Sequence, residues 1–112
     1  MTMKSINPAT GETLKEFPTH TPEYVEEALH KAHSVFHQFG RRNHLADRTK
    51  RLAKAADILL QNKARYAQMM TQEMGKPIAQ AEAEVEKCAA GCRHYGEHAE
   101  TYLADDGSVV DW

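Results

Sequence analysis

The chain has two cysteines, four prolines, one tryptophan and no apolar run long enough to cross a bilayer, and each scarcity excludes something. Cys88 and Cys92 lie four apart in a helical pattern. That spacing puts their Cβ atoms roughly 6 Å apart, beyond the roughly 4 Å a disulfide requires. Nor do they form the Cys-x-x-Cys of a redox or zinc motif, so both are expected to be free, buried thiols. A net charge of −2 and a pI near 6.4 leave no polyelectrolyte footprint for nucleic acid. The basic residues around Arg41, Arg42, Arg48 and Arg51 read as a solvated helix face. The opening MTMKSINPAT lacks the apolar core of a signal peptide. With no membrane span either, the expected location is cytoplasmic. A length of 112 residues allows one domain with a modest core. There are no internal repeats and no low-complexity segment.

What is present is mostly helical periodicity. Residues 3–17 read as a small hairpin turning at Asn7-Pro8-Ala9-Thr10-Gly11, where Pro8 fixes φ and Gly11 can supply a positive one. A first helix is expected from Thr21-Pro22-Glu23 (cap, first position and acidic first turn) to Gly40. Tyr24, Val25, Ala28, Leu29, Ala32, Val35, Phe36 and Phe39 would form its core face. A second helix is expected over about 44–61 with Asn43 as cap, and a third over about 63–74. Between them Asn62 is either a cap or a mere punctuation. Gly75 suits the left-handed position that closes a helix and Pro77 the first position of the next. The fourth helix, Pro77 to about Leu103, places Ile78, Ala81, Val85, Cys88, Cys92, Tyr95, Ala99 and Tyr102 at alternating three- and four-residue spacings. This is a heptad-like seam, expected to be covered largely by something outside the chain. Residues 104–112, ADDGSVVDW, make a turn and a short tail that stops without a closing element and reads as a truncated end. The fold class is therefore mainly α, a short N-terminal hairpin followed by four helices.

Several constellations invite chemistry and fail on geometry. Gly75-Lys76 resembles the end of a phosphate loop, but Met70 stands where the first glycine belongs, and Pro77, with neither hydroxyl nor N–H, follows the lysine. His30, His33 and His37 fall within about 60° around the first helix. No carboxylate is assigned to that strip, so they read as exposed surface histidines rather than metal ligands. His94 and His98 lie on the opposite side of their helix from Cys88 and Cys92, which excludes a Cys₂His₂ site within it. Mid-helix burial on an apolar stripe would raise a thiol pKa, so neither cysteine reads as a nucleophile. Glu82, Glu84 and Glu86 are two apart and do not share a face, so they read as solvated surface.

Four segments in this order, INPATGE, ADRTKRLAKAADILLQNK, YAQMMTQEMGKPIAQAEAEV and CRHYGEHAE, together resemble the N-terminal part of the aldehyde dehydrogenase superfamily, most of all its succinate-semialdehyde dehydrogenase branch. The resemblance makes residues 1–103 the entry hairpin and helical layer of an α/β dehydrogenase, with 104–112 as a tail. It implies, for a full-length enzyme, oxidation of a small aldehyde with NAD or NADP through a cysteine thiolate, a glutamate and an asparagine. All of those residues follow the matched segment in the family. This chain is therefore expected to hold no catalytic and no cofactor-binding residue, and to bind no cofactor alone. One further implication is a structural monovalent or magnesium ion, for which the matching positions are Ile6, through its carbonyl, and Glu73. The alternative left by the residues alone is a free-standing helical module that self-associates through the 78–102 helix.

Overall fold

The computed structural model describes residues 1–40, 44–105 and 107. Two strands, β1 (Thr2–Ile6) and β2 (Thr13–Pro18), pair antiparallel from Thr2 opposite Pro18 to Ile6 opposite Thr13, with an irregularity between Ser5 and Ile6. The turn closes as its residues dictate. Asn7 Oδ1 accepts from the Ala9 N–H at 2.9 Å, Thr10 Oγ1 accepts from the Glu12 N–H at 3.2 Å, and Gly11 adopts φ 77°.

Helix α1 (Pro22–Val35) starts as expected, with Thr21 Oγ1 accepting from the Tyr24 N–H at 3.2 Å and Pro22 in the first turn. It runs into a wider π turn at Phe36–Gly40. The expectation of a core face is overturned: no residue of α1 is buried, and Leu29 is 60% exposed. The pattern that predicts burial is real, but the described residues leave that face largely exposed, with Tyr24 stacked on His20 at 4.2 Å.

The other three helices form the packed unit. Helices α2 (Leu45–Gln61) and α3 (Lys63–Met74) both lie along α4 (Ile78–Tyr102). The predicted cap Asn43 lies outside the described residues, as do Arg41 and Arg42 of the basic cluster and most of the 104–112 tail. Instead His44 precedes α2 without a capping side-chain bond. At the α2–α3 break Asn62 closes the first of the two: its backbone N–H and its side-chain Nδ2 both donate to the Ile58 carbonyl, at 3.1 and 2.9 Å. Gly75 ends α3 at φ 75°, ψ 16°, its N–H donating to the Thr71 carbonyl at 3.0 Å. Pro77 sits one position earlier than expected, as the residue that caps α4 with extended ψ 137° while its carbonyl accepts from the Ala81 N–H.

The buried residues are Ala56 on α2, Ala67 on α3 and Ala81, Val85 and Ala89 on α4. The heptad seam expected on α4 is thus only half correct. A straight helix repeats every 3.6 residues, so positions seven apart drift by about 20° per heptad. Ala81, Cys88, Tyr95 and Tyr102 therefore walk off the packed face, which follows the four-residue row Ala81, Val85, Ala89 instead. Tyr95 and Tyr102 end up exposed, as does Cys88, with Cys92 half-buried. The expectation of two buried thiols fails for this reason.

The joint before α4 also seats the hairpin. A Cβ built on Gly75 would stand 3.3 Å from Pro8 Cγ, and its φ lies in the left-handed region. Gly75→Val is accordingly expected to lose about 1–3 kcal/mol through backbone strain and displacement of the hairpin turn. Chemical denaturation checks this, and an unchanged midpoint would refute it.

Candidate functional site

The region with the most cross-chain chemistry surrounds this joint. Ser5 Oγ on β1 donates to Glu73 Oε1 at 2.7 Å, tying the first strand to the end of α3. Ile6 is the next residue along that strand and 48% exposed. The two positions named by resemblance for a cation thus lie in neighbouring elements, with the Glu73 carboxylate already accepting from the Ser5 hydroxyl. Among the described residues no group of three His, Cys, Asp or Glu side chains is placed to hold a metal ion. Magnesium needs six oxygens in near-octahedral order, so Ile6 and Glu73 are at most part of a shell.

Lys76 shows what the Gly-Lys pair does. Its Nζ forms an ion pair with Glu84 Oε2 on the second turn of α4, the better buried of the chain's salt bridges among the described residues. The lysine, in the joint between α3 and α4, is committed to a carboxylate of α4 rather than offered to a phosphate. Alongside lies an open groove of about 730 Å³ lined by Lys76, Gln80, Ala83, Glu84, Lys87 and Cys88.

Two further acidic residues join elements of the packed unit. Glu86 accepts from Lys63 Nζ at 2.8 Å, joining α4 to the start of α3. This bond, then the charge of Glu86 itself, hold the Lys63 pKa above 10.5, with Glu82 adding to the shift. A raised lysine pKa favours the folded state below pH 10.5, and that contribution fades as pH rises through the folded value. Asp57 accepts from Arg93 at 2.9 Å across α2 and α4. Glu84 and Glu86 therefore serve as ion-pair partners on separate faces, as their two-residue spacing implied.

The histidines are surface groups with one departure from the expected arrangement. Glu26, one turn before His30, does fall on their strip, and its Oε1 lies 3.3 Å from His30 Nε2. The spacing i, i+4 could have revealed it. His33 and His37 meet edge to face at 4.4 Å between ring centroids. On α4, His94 and His98 stack at 4.4 Å; His94 Nε2 lies 2.9 Å from the Tyr102 hydroxyl, and His98 Nδ1 lies 2.8 Å from the His94 carbonyl. Neither thiol joins them.

These pairs are local ion pairs and ring contacts. What the chain is must come from its whole pattern. The model of the aldehyde dehydrogenase family matches residues 1–110.

The chain belongs to the aldehyde dehydrogenase family.

Among aldehyde dehydrogenases, it is 47% identical over 111 residues to a probable NADP-dependent succinate-semialdehyde dehydrogenase of Synechocystis sp., covering 99% of this chain and 24% of that one. It is 44% identical over 106 residues to an NADP-dependent succinate-semialdehyde dehydrogenase of Mycobacterium tuberculosis, covering 95% of this chain and 23% of the relative. In structure it resembles the succinic semialdehyde dehydrogenase of Streptococcus pyogenes, determined with NADP+ as the cofactor. The TM-score is 0.89 and the identity 30%, over 96% of this chain and 24% of that enzyme. This aldehyde dehydrogenase chain thus spans about a quarter of the length of the relatives it matches. The hairpin followed by four helices is a fragment of the aldehyde dehydrogenase fold. No described helix is long and apolar enough to cross a membrane.

Proposed function

We propose that this chain is the N-terminal layer of an NAD(P)-dependent aldehyde dehydrogenase that oxidises succinate semialdehyde, or a close analogue, to the carboxylic acid. In this role it works in the cytoplasm and is inactive alone. The observation that carries the reading is the 47% identity, over nearly the whole chain, to a relative named for that aldehyde and for NADP. The structural layer would supply the hairpin and the α2–α4 unit against which the cofactor-bearing part folds. The nucleophile, the base and the nicotinamide site would all lie in the other three quarters.

The test is direct. Purified chain mixed with succinate semialdehyde and either NADP or NAD should produce no absorbance at 340 nm above the protein-free rate. Calorimetry should detect no NADP binding up to millimolar cofactor. A micromolar dissociation constant for NADP would sink the claim that the chain binds no cofactor alone.

The cation belongs to the same reading. Ile6 and Glu73 would contribute two oxygens to a structural monovalent or magnesium ion whose shell is completed from outside the chain. The support is that the hairpin and the end of α3 meet there, through Ser5 and Glu73. In a full-length enzyme Glu73→Gln should weaken any salt-specific stabilisation while leaving the Gly75 joint folded, which a comparison of melting midpoints in potassium, sodium and magnesium chlorides would reveal.

The second reading, a self-associating module acting through the 78–102 helix, draws on Tyr95 and Tyr102, which stand 59% and 55% exposed on the flank of α4. The same helix already spends its packed face on α2 and α3.

A further inference from the structure

The last turns of α4 carry a cluster that the dehydrogenase reading leaves unused. His94, His98 and Tyr102 recur every four residues, so each stands one turn above the last with only about 40° of rotation between them. All three are exposed. The two imidazoles stack with centroids 4.4 Å apart, and the Tyr102 ring lies 5.9 Å from the first and 6.0 Å from the second.

Hydrogen bonds fix what these rings can offer. The His94 carbonyl only accepts, so His98 Nδ1, 2.8 Å from it, carries the proton of the neutral ring. Nε2 of His98 then keeps its lone pair, the arrangement by which a backbone carbonyl orients a metal-binding imidazole. On the other ring, His94 Nε2 and the Tyr102 hydroxyl oxygen stand 2.9 Å apart. Two ligands each about 2.0–2.1 Å from one ion, at a right angle, are separated by about 2.9 Å. An ion can therefore take the place of the shared proton with neither atom moving far. His98 Nε2 reaches the same ion by rotation of an exposed side chain, one of the fastest motions a protein makes.

We infer that His94, His98 and Tyr102 form a surface site for a late first-row divalent cation, Ni2+ or Cu2+, with two imidazole nitrogens and one phenol oxygen as ligands and water completing the shell. Two nitrogens and an oxygen suit the ions that favour tetragonal N,O surroundings. The oxygen-only pair of Ile6 and Glu73 suits a hard cation, so the two sites select different ions. This inference does not rest on the family reading.

The first helix supplies an internal comparison. His33 and His37 are also four apart, but His37 lies in the π turn, where bonds run to the fifth residue and positions four apart no longer stand directly in line. Their rings cross at 71°, against 26° for the pair on α4. Among the described residues, neither ring nitrogen of that first pair has a carbonyl or hydroxyl to fix its tautomer.

Calorimetric titration of the untagged chain with Ni2+ decides. Ni2+ is the probe because, unlike Cu2+, it does not oxidise an exposed thiol such as Cys88. A single Ni2+ should bind with a micromolar dissociation constant. His94→Ala and His98→Ala should each weaken binding by at least about tenfold, and Tyr102→Phe by about threefold or more. The double variant His33→Ala/His37→Ala should bind as the parent does. Every substituted side chain is exposed, so circular dichroism should show the same helix content throughout. In the unsubstituted chain, Ni2+ should broaden the ring-proton resonances of His94 and His98 before those of His30, His33 and His37. The inference is overturned if the parent binds only at millimolar Ni2+, or if the first-helix histidines broaden first or their double variant is the one that loses the ion. It is equally overturned if either α4 His→Ala variant binds as tightly as the parent, or if Tyr102→Phe leaves the affinity unchanged and so removes the oxygen donor.

Discussion

Val85→Asp is expected to abolish the folded α2–α4 unit. Val85 is 3% exposed, and the residues buried with it are Ala56, Ala67, Ala81 and Ala89, with no buried polar or charged side chain among those described. A carboxylate placed there has no partner, and leaving a charge buried and unpaired costs about 3–5 kcal/mol, or the group neutralises and still loses its water. A unit this small, with so little buried volume, sits at the low end of the 5–15 kcal/mol typical of domains, so the substitution removes most of its stability. Circular dichroism at 222 nm should show the loss of helix already at 25 °C. If α4 instead met its main partner on a second copy, the same variant would yield a folded monomer with its helical signal intact, and sedimentation would separate the two results.

The second large effect is expected at Gly96. A Cβ there would stand 3.3 Å from the Thr49 carbonyl oxygen, 3.6 Å from Leu52 Cβ and 3.9 Å from the Ala53 nitrogen. Two of those three atoms are backbone, so the neighbour cannot yield without α2 moving. Gly96→Val adds two further methyl groups to that gap and should cost about 1–3 kcal/mol by forcing the helices apart. Gly96→Ala is the informative companion: the gain of about 1 kcal/mol in helix propensity opposes the close contact, and the net change should be small. If Val and Ala behave alike in urea melts, the close approach of α2 and α4 at this point is wrong.

Much of the local structure was legible because single residues carried it. Pro8 and Gly11 announced the hairpin, Thr21-Pro22 the start of α1, and Gly75 the end of α3, each through a backbone requirement that tertiary contacts do not alter. Partnership between elements was not. The face of α1 reads the same in sequence whether its partner lies in this chain or outside it, because periodicity reports that a face wants burial, not what buries it. The rotation of α4 was missed for a different reason. Spacings of three and four fit a 3.5-residue and a 3.6-residue repeat almost equally well, yet Cys88, one heptad after Ala81, already lies off the contact, and Tyr95 and Tyr102 lie further round still. Gly96 drew no notice in the sequence because an isolated helical glycine has no signature until the Thr49 carbonyl beside it is seen. The Ser5–Glu73 bond spans 68 positions and no local pattern encodes it.

The alanines at the centre of the helical unit have a further consequence for how it responds to denaturant. The steepness of a urea transition scales with the surface newly wetted on unfolding, and the heat-capacity change follows the apolar share of it. Ala56, Ala67, Ala81 and Ala89 have little side chain to uncover, and the large apolar residues of α1 already stand 47–60% exposed. The isolated chain should therefore unfold with a shallow slope and a flat dependence of stability on temperature, even if every molecule passes between only two states. A broad melt of this chain is then the signature of a thin alanine interface rather than of a loosely ordered one.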